Sequence, residues 1–103
     1  AIAHIKEATV VITNPTHFAI AIRYDAENEG VPRVLAKGAD QLAQRMKAEA
    51  AKENIPMIEN REIARALYRQ VEPGDLIPVE MYEAIAEIIA LVYQLEENER
   101  GKI

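Results

Sequence analysis

Four adjacent residues, Asn14-Pro15-Thr16-His17, hold a chemical weakness found nowhere else in the chain. At most asparagines the backbone N–H of the next residue attacks the side-chain amide, and the outcome is deamidation. Proline has no backbone N–H, so that route is closed at Asn14. The remaining intramolecular route runs the other way. The Asn14 side-chain nitrogen attacks its own backbone carbonyl, closes a five-membered succinimide and expels the nitrogen of Pro15. The chain would then be cut between Asn14 and Pro15 with no outside enzyme. Asn followed by Pro also favours a β-turn, whose first and fourth residues lie within about 7 Å. Such a turn brings His17 to Asn14. Histidine gains or loses a proton near neutral pH, so His17 is expected to assist the proton transfers. Thr16 is expected to shape the turn through its hydroxyl. Most Asn-Pro pairs are inert turns, so the setting must supply the difference.

The flanks supply that setting. Residues 8–13 read as a buried strand and 18–24 as a second, antiparallel to it. A turn clamped between two rigid strands can be held in a strained, near-attack geometry. On the second strand Phe18, Ile20, Ile22 and Tyr24 share one face, and Ala19, Ala21 and Arg23 share the other. The small face predicts a close-packed helix. Residues 25–32 read as a loop and 33–37 as a strand that Gly38 ends. Ala39, Leu42, Ala43, Met46 and Ala50 recur at helical spacing over 39–53, with Asp40 at the positive end of the helix and Asn54 and Pro56 stopping it. Residues 55–58 read as a short strand, placed at a sheet edge by Pro56 and parallel to strand 33–37. Asn60 suits the cap of a helix over 61–69. Residues 72–75 read as a turn, and Pro78 fits the first turn of a last helix, 78–96. The expected fold class is α/β, a small mixed four-stranded sheet with helices packed around it.

Composition narrows the function classes. The chain of 103 residues is one domain, and 17 of them are alanine, so its core rests on small side chains. A net charge of −5 argues against a nucleic-acid surface. Without cysteine there is no disulfide framework and no thiolate zinc site, and without serine there is no serine triad. No apolar run is long enough to span a membrane. His4 and His17 alone make a poor metal pattern, so neither a metal nor a cofactor is expected. Lys37-Gly38 before a helix lacks the glycine-rich phosphate loop, and Asp40 would repel a phosphate, so Lys37 reads as a surface lysine or a charge partner near the turn. On the last helix Met81, Ile85, Ile88, Val92 and Leu95 form one apolar stripe, and Tyr82, Ala86, Ile89 and Tyr93 a neighbouring one. The second stripe either packs on helix 61–69 or is left as a docking surface that Val31-Pro32 extends. Val31, Pro32, Ala86 and Ile89 are the candidate docking residues.

The segment Thr13-Asn14-Pro15-Thr16-His17-Phe18-Ala19-Ile20-Ala21 resembles the signature of the type III export-apparatus switch proteins, the FlhB/YscU family. The resemblance continues through Pro32-Arg33-Val34-Leu35-Ala36-Lys37-Gly38, Ile55-Pro56-Met57-Ile58-Glu59-Asn60, Ala64-Arg65-Ala66-Leu67-Tyr68 and Gly74-Asp75-Leu76-Ile77-Pro78. The stretch Ala84 to Ala90, with Val92-Tyr93, looks more like the flagellar branch than the virulence injectisome branch. The resemblance implies a cytoplasmic domain, 8–97, of an inner-membrane component of the flagellar export gate. Residues 1–7 would then end the linker from a membrane-embedded part, and 98–103 would be a tail. It also implies self-cleavage at Asn14-Pro15, with the pieces staying together. Cleavage would switch export from rod and hook subunits to filament subunits, with other export-apparatus proteins and the exported subunits as partners. Such a cut happens once and is not enzyme turnover. The alternatives are an injectisome counterpart and a protein-binding module whose turn is inert.

Overall fold

Strand β1 (Val10–Asn14) lies inside the sheet rather than at its edge. It pairs antiparallel with β2 (Phe18–Arg23), in the register Asn14 opposite Phe18, and parallel with β4 (Met57–Glu59) on its other side. Strand β3 (Arg33–Ala39) pairs antiparallel with β2, giving the order β3-β2-β1-β4. The computed structural model describes residues 2–101. Strands β3 and β4 point the same way, as the intervening helix requires, but they occupy opposite edges. Helix α1 (Asp40–Lys52) makes that crossing. Helix α2 (Arg61–Gln70) follows β4, capped by the Asn60 side chain accepting from the Ile63 N–H at 3.0 Å. A 3-10 turn over Val79–Met81 leads into α3 (Tyr82–Arg100), which outruns the expected end near 96.

Each face of the sheet has its own core, and the alternation along β2 decides which residues enter which. Ile20 and Ile22 join Val10, Ile12 and Val34 beneath α2 and α3, which contribute Ala64, Leu67, Ile85, Ile88 and Val92. Ala19 and Ala21 join Val11 and Ala36 beneath α1, which contributes Ala43, Met46 and Ala50. A bulge makes the two faces compatible: Ala21 opposes Ala36 while Ile22 opposes Val34, so Leu35 is the extra residue. Residues 2–7, read as the end of a linker, form a 3-10 helix whose Ile5 is fully buried in the α1-side core.

Three readings change at the level of packing. Gly38 does not end its strand; it lies inside β3, where a Cβ atom would stand 2.7 Å from Met46 Sδ and 2.8 Å from Leu42 Cγ. Its missing side chain is what lets α1 approach the sheet. Lys37 is a charge partner rather than a free surface lysine, but it does not serve the 14–17 turn. Its Nζ donates to the Tyr68 carbonyl at 2.8 Å at the end of α2, meets Glu72 at 3.2 Å and lies 5.0 Å over the Tyr68 ring. The stripe Tyr82, Ala86, Ile89 and Tyr93 does not spend itself on α2. Ile89 is buried, but the stripe faces the 25–32 loop across an open groove, and Tyr82 and Tyr93 stay exposed.

Candidate functional site

Residues Pro15-Thr16-His17 join β1 to β2, and backbone bonds alone close the turn. The His17 N–H donates to the Asn14 carbonyl at 3.0 Å, the bond of a β-turn. Both ends of the turn are tied to neighbouring elements. On the Asn14 side, the Thr13 carbonyl accepts from the Asn60 N–H at 2.9 Å, at the mouth of α2. On the far side, the His17 carbonyl accepts from the Asp40 N–H at 2.9 Å, at the start of α1. Asp40 holds this position with φ at 52°, in the left-handed region that Asp tolerates better than most residues. Pro15 is held separately. Its carbonyl faces Lys47 Nζ at 3.3 Å and Gln44 Nε2 at 3.4 Å, both from α1.

Asn14 itself is 4% exposed, and its Oδ1 meets no hydrogen-bond donor among the described residues. No hydrogen bond from a described residue to that oxygen has to break before the side chain rotates toward the backbone. The Asn14 carbonyl already accepts a hydrogen bond from the His17 backbone. Were the Asn14 amide nitrogen to add to that carbonyl, the donor would face the oxygen on which negative charge grows. Below the turn Phe18 stacks on Tyr68 with ring centres 4.4 Å apart, fixing the first residue of β2 to α2.

The sequence-based candidates therefore divide. Asn14, Pro15 and His17 are brought together, but the contact from His17 comes through its backbone N–H. Its imidazole is exposed, with the Phe18 ring 6.1 Å away. Thr16 is exposed too, and among the described residues its hydroxyl makes no hydrogen bond. His4 pairs with Glu7 at 3.1 Å on the N-terminal 3-10 helix. Sequence reading missed Gln44 and Lys47, and also the His17 backbone donor. The donor follows from the β-turn; the two side chains lie 29 and 32 residues from their acceptor, and no local signal marks them.

Val31, Pro32, Ala86 and Ile89 come together as well. With Tyr24, Tyr82 and Tyr93 they line a groove of about 370 Å³ between α3 and the 25–32 loop. Asp25 shapes that loop: its carboxylate accepts from the Asn28 backbone at 3.1 Å and from the Asn28 side chain at 2.8 Å. Its carbonyl accepts from Glu29 and from Gly30, which takes φ of 74° to close the turn. The Asn28 hydrogen bonds hold the Asp25 carboxyl below the ordinary carboxylate range, and the bond from Arg33 does the same for Glu29.

Comparison with known proteins gives this geometry a family. Residues 1–92 match the family described as FlhB HrpN YscU SpaS. The chain is 45% identical over 94 residues to the flagellar biosynthetic protein FlhB of Bacillus subtilis (strain 168), covering 91% of this chain and 26% of that protein. It thus spans about a quarter of the curated relative's length. The crystal structure of the cytoplasmic domain of FlhB from Shewanella putrefaciens superimposes with a TM-score of 0.93 at 32% identity, over 98% of this chain and 78% of that one. An asparagine-to-alanine variant of the EscU C-terminal domain superimposes at 0.85, also at 32% identity, over 88% of this chain and 91% of that one. Sequence along nearly the whole length and the superimposed fold agree, and the chain belongs to the FlhB HrpN YscU SpaS family.

Proposed function

We propose that this chain is the cytoplasmic domain of a flagellar type III export-gate protein that cuts itself once between Asn14 and Pro15. The observation that carries the reading is the buried Asn14, whose Oδ1 meets no donor among the described residues, beside its own carbonyl, which already accepts the His17 N–H. In the reaction Asn14 Nδ2 bonds to the Asn14 carbonyl carbon while the bond from that carbon to the Pro15 nitrogen breaks. One proton leaves Nδ2 and one arrives on the proline nitrogen. The products are a C-terminal succinimide on Asn14 and a free secondary amine on Pro15, and water later opens the succinimide. His17 stabilises the carbonyl oxygen through its backbone, with its imidazole exposed to exchange protons with solvent. Thr16 spans the turn between them.

The cut leaves β1 paired on both sides, so the two pieces remain one folded body. What changes is the Pro15-Thr16-His17 arm, which is freed at one end. Export then passes from rod and hook subunits to filament subunits. Those subunits dock at the groove of Val31, Pro32, Ala86 and Ile89, an apolar surface of the kind that receives protein partners. The full protein sits in the bacterial inner membrane, with this domain on its cytoplasmic face and residues 1–7 leading from the membrane part. Intact-mass measurement of the purified chain under denaturing conditions tests the cleavage: two masses that meet at Asn14 and Pro15 are expected. A single uncut mass after prolonged incubation would remove the self-processing from this reading.

A further inference from the structure

The scissile bond joins two residues that are held by different bodies. Asn14 belongs to the sheet, through its pairing with Phe18 and the Thr13 to Asn60 bond. Pro15 belongs to α1, through Lys47 at 3.3 Å and Gln44 at 3.4 Å on its carbonyl oxygen. Gln44 and Lys47 stand three apart on one face of the helix, so both reach a single acceptor. Lys47 is partly buried and, among the described residues, meets no carboxylate at ion-pair distance. A cationic side chain thus has as its partner the carbonyl next to the one bond the turn can break.

We propose that Lys47, seconded by Gln44, is a positioning residue for the self-cleavage. It fixes the leaving residue Pro15 against α1 while the sheet holds the attacking residue. This rests on the Asn14 cyclisation reading above. Two consequences follow from the chemistry of the contact. Anchoring the Pro15 carbonyl restricts rotation of the leaving residue, so the Asn14 to Pro15 bond keeps the orientation the attack requires. A cation at that carbonyl also withdraws electron density from the proline residue. That makes its nitrogen a less basic leaving group as the bond to Asn14 breaks and the proton arrives. Gln44 contributes the anchoring without the charge.

Cleavage timed from synthesis, by pulse labelling in cell-free translation, tests this for the whole chain with Lys47→Arg, Lys47→Met, Lys47→Glu and Gln44→Ala. Each is also made with Asn14→Ala, so that the melting temperature is read on uncut protein. The expected order of rates is wild type close to Lys47→Arg, then Gln44→Ala slower by a few-fold, then Lys47→Met slower by roughly tenfold or more, and Lys47→Glu slowest. Melting temperatures that do not follow this order are expected, because a loss of packing would not distinguish Met from Glu or be rescued by Arg. Equal rates for Lys47→Met, Lys47→Glu and wild type would overturn the proposal and leave the cyclisation standing. Rates that track the melting temperatures would overturn it too, by making Lys47 structural. A wild-type chain that never cleaves would remove the cyclisation itself, and this role with it.

Discussion

Asn14 is the residue whose replacement has the plainest outcome. Asn14→Ala removes the only side chain able to close the succinimide at that bond. An uncut, folded domain is expected, checked by intact mass and thermal melting. Cleavage persisting at the same bond would discard the cyclisation. Asn14→Asp should slow the reaction strongly, since a carboxylate oxygen is a poor nucleophile for this ring closure. At His17 the backbone and the side chain can be separated. His17→Ala keeps the N–H on the Asn14 carbonyl, so it should slow cleavage by less than the roughly 10²-fold floor of general acid–base help. His17→Pro deletes that donor, and a loss of about 10²–10³-fold is expected, as for other oxyanion donors. A pulse-chase of both variants decides between backbone and imidazole. The 14–17 turn was legible because it is local: the missing proline N–H and the proximity of residues 14 and 17 follow from four letters. Lys47 was not legible, because its meeting with Pro15 depends on where α1 lands across the sheet.

At the scale of elements, Gly38 governs where α1 lands. Gly38→Ala would drive a methyl group into Leu42 and Met46. Overpacking of this kind costs about 1–3 kcal/mol, which lowers the melting temperature of a domain this size by about 4–8 °C for each kcal/mol. The same displacement would carry Gln44 and Lys47 away from Pro15, so cleavage should slow as α1 lifts. An unchanged melting temperature would mean that α1 shifts freely. The 25–32 loop offers a pH prediction. Asp25 and Glu29 have carboxyls held below their ordinary range in the folded chain, so their contribution to loop order is fully present above that range. It is lost as pH falls through the lowered folded values. Amide hydrogen exchange, followed from neutral pH downward after correction for intrinsic rates, should show the loop losing protection before the sheet does. Loop and sheet opening together would refute this ranking. Period-two alternation made β2 readable, as did the Asn60 cap of α2, for both are written in neighbouring residues. Gly38 was misread, and Lys37 was given the wrong partner, because a glycine can mark a strand end or a close approach, and a lysine can serve any nearby acceptor. Only the third dimension separates those cases.

For the whole molecule, what matters is that the proposed cut falls beside an interior strand. Val10, Val11 and Ile12 are fully buried, and burying each such side chain contributes about 1.5–3 kcal/mol. Hydrogen bonds to β2 and β4 add to this from both sides. Losing one covalent tie in a turn of three residues costs little by comparison. The piece ending at Asn14 and the piece beginning at Pro15 should therefore elute together in native size-exclusion chromatography and part only in denaturant. Separate elution without denaturant would mean that β1 is not integrated in the sheet after the cut.

That interior position would also set how a molecule cut there answers a pull. Once Ile5 is drawn from the α1-side core, tension applied along the axis of β1 reaches the strand itself. The ladders on either side of β1 are then loaded lengthwise, and their rungs must fail together instead of opening one at a time as at a frayed edge. In an uncut chain the covalent turn would share the load; in a cut one the two ladders and the side chains between them would bear it alone. A single-molecule pull on the cut chain should give one abrupt rupture that releases β1 whole, while the Asn14→Ala chain should stretch onward as a continuous polymer. The nick would turn a tethered strand into a mechanical fuse, tight at rest and releasable by force.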